Sequence, residues 1–261
     1  MSKTNQTNRR CFLKTSALAA IATPTIIPSS VLGQAGKPAP SNRITVGLIG
    51  CGGRGVGVMN SFLNEPSAQV IATCDPYETH HRGQARGRAL GRQPAAEMVG
   101  KKYDSKPCDT YDDYRELCAR NDLDVVIVAT PDHWHAVQAL EGLRNGKDIY
   151  CEKPVTHFFA EGQVLYREVA KRKAIFQTGS QQRSATVFRN AVELVRNGLI
   201  GKVKEVQVGL PKGPNKIKGD PTEEDRSGRK DYQFWTGPAP MLPYVHARHH
   251  QMWRVHLAYG G

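Results

Sequence analysis

The apolar run Ile44–Ile49 passes without a linker into Gly50-Cys51-Gly52-Gly53-Arg54-Gly55, and this turn constrains the fold more than any other stretch. A strand ending on Gly-x-Gly-x-x-Gly must reverse tightly into a helix, and each glycine has its own reason. Gly50 permits the turn, Gly52 lets the backbone approach a pyrophosphate, and Gly55 lets the new helix pack on the sheet. The first N–H groups and positive end of that helix, around Gly53 and Arg54, would face the phosphates. Glycine-rich turns are common, so context decides. A second apolar run, Val70–Cys74, ends in Asp75, twenty residues beyond Gly55. A carboxylate at that distance accepts hydrogen bonds from an adenosine ribose.

Residues 1–40 read as a leader and linker rather than as fold. Asn8-Arg9-Arg10-Cys11-Phe12-Leu13-Lys14 precedes a mildly apolar stretch, Thr15–Ile27, and then small residues around Gly33 and Ala35. That is the charged, apolar, small-residue order of an export signal, too short in its apolar part to anchor in a bilayer. The arginine pair with Phe-Leu-Lys resembles a twin-arginine signal, which predicts an exported, periplasmic protein that folds around its cofactor before crossing. No other segment is long and apolar enough for a membrane anchor.

The formal net charge is +12, and removing Lys3, Arg9, Arg10 and Lys14 with the leader leaves +8. Much of that excess lies in Arg82, Arg86, Arg88, Arg92, Lys101, Lys102 and Lys106, opposed by Glu97 and Asp104. The run lacks interleaved aromatics and any DNA-binding motif, so it reads as a solvated helix face with no nucleic-acid partner. Cys51, Cys74, Cys108, Cys118 and Cys151 are odd in number and lack metal-site spacing. Three of them sit at strand ends, as buried small hydrophobes do.

From residue 43 the pattern alternates between strand and helix, which predicts an α/β fold: a doubly wound, parallel Rossmann sheet over residues 42–155. Strands are expected at 44–49, 69–74, 125–129 and 148–151, with a further one around 98–103. Helices are expected near 55–63, 77–90, 111–120 and 135–145. Residues 156–261 are expected to form an incomplete α+β substrate and oligomerisation domain. In it, 162–172 reads as a helix, 174–178 as a strand and 184–197 as an amphipathic helix. Residues 204–210 alternate as a half-covered strand, and 211–231 form a long polar loop. The sheet of this second domain is unfinished at Gly261, so the chain is expected to be truncated.

Two further segments stand where a doubly wound fold places ligands, at the carboxyl ends of strands. They are Ala129-Thr130-Pro131-Asp132-His133-Trp134-His135 and Cys151-Glu152-Lys153-Pro154. With the glycine turn, Asp75, Gly179-Ser180-Gln181-Gln182-Arg183 and the Trp235-to-Pro240 segment, they resemble the glucose–fructose oxidoreductase / inositol dehydrogenase / MocA family. The resemblance runs from about Arg43 to the end and looks nearest to the family's exported branch.

That resemblance implies roles. Gly50, Gly52, Gly53, Arg54 and Gly55 would frame the pyrophosphate. Asp75 would hold the adenosine ribose and favour NAD over NADP, whose extra phosphate it would repel. Thr130, Pro131 and His135 would line the nicotinamide side. Glu152 and Lys153 belong to the Glu-Lys-Pro signature, with Lys153 as the catalytic group that contacts substrate and cofactor. His133-x-His135 suggests a metal, but His246, His249, His250 and His256 supply no matching ligand spacing, so no metal site is expected. The family's proton-handling histidine lies in an Asp-x-x-x-His segment after a Gly-Gly pair like Gly260-Gly261, where this sequence stops. The implied activity is NAD-dependent oxidation or reduction of a secondary hydroxyl on a sugar or cyclitol, by a homo-oligomer in its full-length form. Two alternatives stand beside it: NAD-dependent glycoside cleavage through transient oxidation, and an inactive NAD-binding fragment.

Overall fold

Strand β1 (Ile44–Ile49) is the hub of the molecule, because strands pair with it on both sides. The computed structural model describes residues 38–81, 87–210, 220–250 and 252–260. The expected leader, Arg82, Arg86 and residues 211–219, part of the expected polar loop, lie outside these. Residues up to Arg43 form one unit, in which Pro40–Asn42 make a 3-10 turn; residues from Ile44 on form another.

In the second unit, β1 leads into α1 (Gly53–Leu63), and β2 (Ala68–Cys74) follows. After a short antiparallel pair, β3 (His80–His81) with β4 (Ala89–Leu90), come α2 (Arg92–Tyr103), β5 (Asp109–Tyr111) and α3 (Tyr114–Cys118). Then β6 (Val125–Val128), α4 (Asp132–Arg144), β7 (Asp148–Glu152), α5 (Phe159–Arg172) and β8 (Phe176–Gly179) complete the sheet. Its order is β5-β2-β1-β6-β7-β8, parallel throughout. The chain reverses its direction of travel between β1 and β6, which opens a crevice at their carboxyl ends.

Both faces of the sheet are covered, so its central strands are apolar on both sides. Val46 and Leu48 pack with Met59 of α1 and Val99 of α2 on one face. Ile49, Val126 and Val128 pack with Leu117, Ala139 and Leu143 on the other. Full burial of a side chain such as Leu48 contributes about 1.5–3 kcal/mol, which holds the turn after β1 in place. Cys51, Cys74, Cys118 and Cys151 are buried free thiols. Burial pushes the last two up to about 12.

Several expectations are corrected. The helix expected at 77–90 is absent among the described residues: Asp75 captures the Tyr77 N–H, and Tyr77 and Glu78 turn back to accept from Arg92 and Gln93. The strand expected around 98–103 is the second half of α2, whose buried Ala95, Ala96, Val99 and Gly100 recur at helical spacing. The missing strand is β5, three residues long, beside β2. The strand expected at 174–178 joins β7 as the sixth of the parallel sheet, so that sheet draws on residues well past 155.

Beyond β8 lie α6 (Thr186–Arg196), β9 (Glu223–Glu224), α7 (Lys230–Thr236) and β10 (Tyr244–Val245), with β9 and β10 paired antiparallel. Lys204–Leu210 forms no strand, and Val206, Val208 and Leu210 are 76%, 79% and 85% exposed. Its alternation needs a neighbouring strand, and none pairs with it among the described residues.

Candidate functional site

The turn after β1 meets the turn after β6 at the crevice. Gly50 sits at φ +91°, a left-handed value that favours glycine, and a Cβ there would lie 2.7 Å from the Ala129 carbonyl carbon. At Gly55 a Cβ would stand 1.9 Å from the Gly50 carbonyl oxygen. Gly52 is different: nothing lies within 4 Å of the place a Cβ would take. Its backbone is therefore open to close approach, and it starts α1 with no side chain capping the first-turn N–H groups. No acidic residue stands in that turn, so the positive end of the helix is available to an anion.

Around this turn lies a cavity of about 960 Å³, at the upper end for small-molecule sites. It is lined by Gly50, Gly52, Gly53 and Arg54, by Asp75, by Thr130, Pro131 and His135, and by Glu152 and Lys153. Gly55 packs beneath, buried in α1. Elements far apart in sequence thus bring the expected residues to one place.

Asp75 is buried at the end of β2. Its Oδ2 accepts the Cys51 N–H and its Oδ1 the Tyr77 N–H, both at 2.9 Å. Burial pushes its carboxyl above the usual carboxylate value, against the opposing pull of His80, the two N–H groups and Arg92. Arg92 is not on a free solvated face: its Nη1 donates to the carbonyls of Asp75 (3.1 Å) and Pro76 (3.0 Å).

Glu152, 4% exposed, ties the glycine turn to the other half of the crevice. Its Oε1 accepts from Arg54 Nε at 2.8 Å and from Arg54 Nη2 at 2.7 Å, and also from the Gln181 amide. Gly179 lets it stand there, since a Cβ would lie 2.7 Å from that oxygen. Lys153 follows directly, exposed at the cavity wall. Across from it Asp132 opens α4; burial raises its carboxyl, while His135, Arg254, Lys153 and His157 act to lower it.

His135 lines the cavity but acts as a brace. Its Nε2 faces the Thr130 carbonyl at 2.8 Å and its Nδ1 faces the Pro154 carbonyl, so it joins the two strand-end loops. His133 is buried, with ring nitrogens 3.2 Å from the carbonyls of Tyr259 and Trp235. Trp134 Nε1 donates to the same Trp235 carbonyl at 2.9 Å. The segment after α7 is thereby held on α4, through an aromatic cluster of Tyr232, Trp235, Tyr244, Trp253 and Tyr259. No metal-holding group of His, Cys, Asp and Glu occurs among the described residues, and none of their helices is long and apolar enough to cross a membrane.

Sequence reasoning missed part of the wall: Tyr77, His80, Phe234, His250, Trp253 and Arg254. Trp235, also in the wall, was visible in a matched motif. Phe234, His250, Trp253 and Arg254 carry no local signal, because only the return of the chain after β9 brings them there, while Tyr77 and His80 follow Asp75 in the turn that replaces the expected helix.

Burial lowers the pKa of His249 to about 4 and of His250 to about 2, and lowers that of His133. An unfolded histidine takes a proton near pH 6.5. Stability is therefore complete above that value and falls as pH drops, by about 1.4 kcal/mol per pH unit for each histidine held neutral. Asp75 and Asp132, raised in the fold, oppose this at the acid end. The melting temperature is expected to fall by roughly 10 °C between pH 7 and pH 5. Thermal melts that are flat or rising toward pH 5 would contradict the burial of these rings.

The strand order and the glycine turn at its switch point define a dinucleotide-binding protein of Rossmann type. The model of the oxidoreductase family with an NAD-binding Rossmann fold, Gfo/Idh/MocA, matches residues 44–180, and the chain belongs to that family. A glycosyl hydrolase family 109 protein of Streptomyces niveus is 37% identical over 112 residues, 43% of this chain and 21% of that protein. One from Saccharopolyspora erythraea is 29% identical over 218 residues, 77% of this chain and 45% of that protein. Among solved structures, myo-inositol 2-dehydrogenase from Lactobacillus plantarum superposes with a TM-score of 0.51 at 21% identity, covering 62% of this chain and 43% of the other. That last likeness is one of fold. The chain spans under half the length of each of these proteins.

Proposed function

We propose that the protein is an NAD-dependent oxidoreductase acting on a secondary hydroxyl of a sugar, cyclitol or derivative. The carrying observation is one cavity that holds the open Gly52 turn, the Asp75 carboxylate and Lys153 at the carboxyl ends of β1, β2 and β7. The residues fit the dinucleotide. Gly52 and the uncapped start of α1 suit a pyrophosphate, and Asp75, already fixed by two backbone N–H groups, keeps lone pairs for ribose hydroxyls. A 2′-phosphate would meet that buried carboxylate, so NAD is preferred to NADP.

When bound, NAD supplies the hydride acceptor. Lys153 would then hydrogen-bond the substrate oxygen and stabilise its negative charge as the hydroxyl proton passes to solvent water at the cavity wall and the carbon gives up its hydride. Glu152, Arg54 and Gln181 fix the loop from which Lys153 projects. His135 fixes the spacing between that loop and Thr130-Pro131.

The family 109 glycosyl hydrolase relatives favour a second reading: transient oxidation beside a glycosidic bond, elimination of the aglycone, and return of the hydride. Product analysis separates the two. Net NADH matching ketone supports oxidation, aglycone release without net NADH supports cleavage, and neither product from any glycoside, sugar or cyclitol overturns both. The leader makes the periplasm the proposed compartment; fractionation that finds the mature protein in the cytoplasm would contradict it.

A further inference from the structure

Eleven large apolar side chains between residues 187 and 210 are 43–85% exposed. They fall into two patterned runs. In α6, Val187, Phe188, Ala191, Val192, Leu194 and Val195 share one side of the helix, and Arg189, Glu193 and Arg196 the other. Not one residue of α6 is buried. Further on, Val206, Val208 and Leu210 alternate, so that a strand over 204–210 would carry all three on one face, yet the segment pairs with none among the described residues.

Both runs lack what stabilises them. A helix of 11 residues is marginal on its own in water and draws its stability from packing an amphipathic face. An unpaired apolar strand offers its N–H and C=O groups as a template for another chain. The exposed apolar area is on the order of 400–800 Å² per copy, at roughly 60–120 Å² for each whole side chain. The largest patch on a typical monomer is about 300–600 Å². Buried on two copies, the area comes up to the roughly 1,200–2,000 Å² of a specific interface.

We propose that a second copy of this chain docks here, with residues 204–210 of the two copies paired antiparallel about Gln207 and the apolar side of α6 covered in the same contact. That register sets Val206 of one copy opposite Val208 of the other, and Lys204 opposite Leu210. Directly opposed residues share a face, so the three apolar side chains of each strand meet as one apolar surface. Glu205 faces Gly209, and no like charges oppose. A bilayer fits this face less well. It offers no backbone partner to a strand edge, and the polar side of α6 pairs Arg189 with Glu193 at 2.9 Å rather than presenting a basic row. The contact lies apart from the crevice and does not depend on NAD.

Sedimentation velocity of the full 261-residue chain at about 1–100 μM tests this, and a dimer is expected. Val206→Lys with Val208→Lys sets lysines opposite lysines and is expected to weaken association at least about 100-fold. Val206→Glu with Val208→Glu should do the same. Mixing the two variants sets lysines opposite glutamates and is expected to restore a dimer, now of one copy of each. Val192→Asp on α6 is expected to weaken the parent dimer about tenfold. The three positions are 54–79% exposed, so each variant should keep the circular dichroism of the parent. A parent that stays monomeric overturns the proposal, whether hydrogen exchange shows 204–210 protected within one chain or vesicles of phosphatidylglycerol and phosphatidylcholine capture the protein. Parent-like dimers from both charged double variants, or a mixture that stays monomeric, overturn the pairing at 204–210. A parent-like dimer from Val192→Asp removes α6 from the contact.

Discussion

Gly52→Val should raise the dissociation constant for NAD at least about 100-fold while the protein melts within a few degrees of the parent. Gly52 sits at φ −72° and ψ 177°, extended backbone open to any residue. Its missing Cβ would meet nothing within 4 Å. The fold therefore accepts a larger side chain, at a helix-cap cost of about 1 kcal/mol or less. The ligand does not, because the isopropyl group fills the place where a pyrophosphate must reach the N–H groups of α1. A 100-fold loss corresponds to about 2.7 kcal/mol, the size of one or two charge-assisted hydrogen bonds. Gly55→Ala gives the contrast: its Cβ would overlap the Gly50 carbonyl oxygen at 1.9 Å, and the turn itself should fail. Calorimetry with NAD and a thermal melt decide the matter together. Parent-like NAD affinity in a folded Gly52→Val protein would show that the phosphates lie elsewhere.

Lys153→Met should lower hydride transfer by ~10²–10⁴-fold, the usual range for a positioned group acting on the reacting proton or oxygen. NAD affinity should move less than about threefold, since the backbone of the glycine turn and Asp75 carry most of the binding. Methionine keeps the length and apolar stem of the side chain but removes its charge and donors. The loss should appear in kcat as well as kcat/KM, because the alkoxide character that Lys153 stabilises is absent from the bound alcohol and arises only on the way to hydride transfer. Steady-state kinetics with a sugar or cyclitol substrate reads this directly. A variant impaired in KM alone would make Lys153 a binding group.

Much of this site was legible because its signals are local. The run to Ile49, the turn to Gly55 and the step to Asp75 are encoded by neighbouring residues, as are the strand ends at Thr130 and Lys153. What was missed depends on distant partners. β5 is three residues long and becomes a strand only beside β2. The small residues of α2 mask its helical periodicity. The segment 204–210 alternates like a strand but has no strand to pair with among the described residues. His135 lines the cavity as expected of its strand-end position, but its bridge to the Pro154 carbonyl, nineteen residues on, has no local signal. His250 reaches the Asp75 end of the cavity from far along the chain, which no spacing rule anticipates.

Transfer of deuterium from a substrate labelled on the carbinol carbon tests the central claim most directly. A sugar or cyclitol so labelled should deliver its deuterium to C4 of the nicotinamide, seen in NADH recovered by quenching single turnovers. Consumption of that substrate with the nicotinamide unlabelled, and with only solvent hydrogen in the product, would contradict hydride exchange at this site.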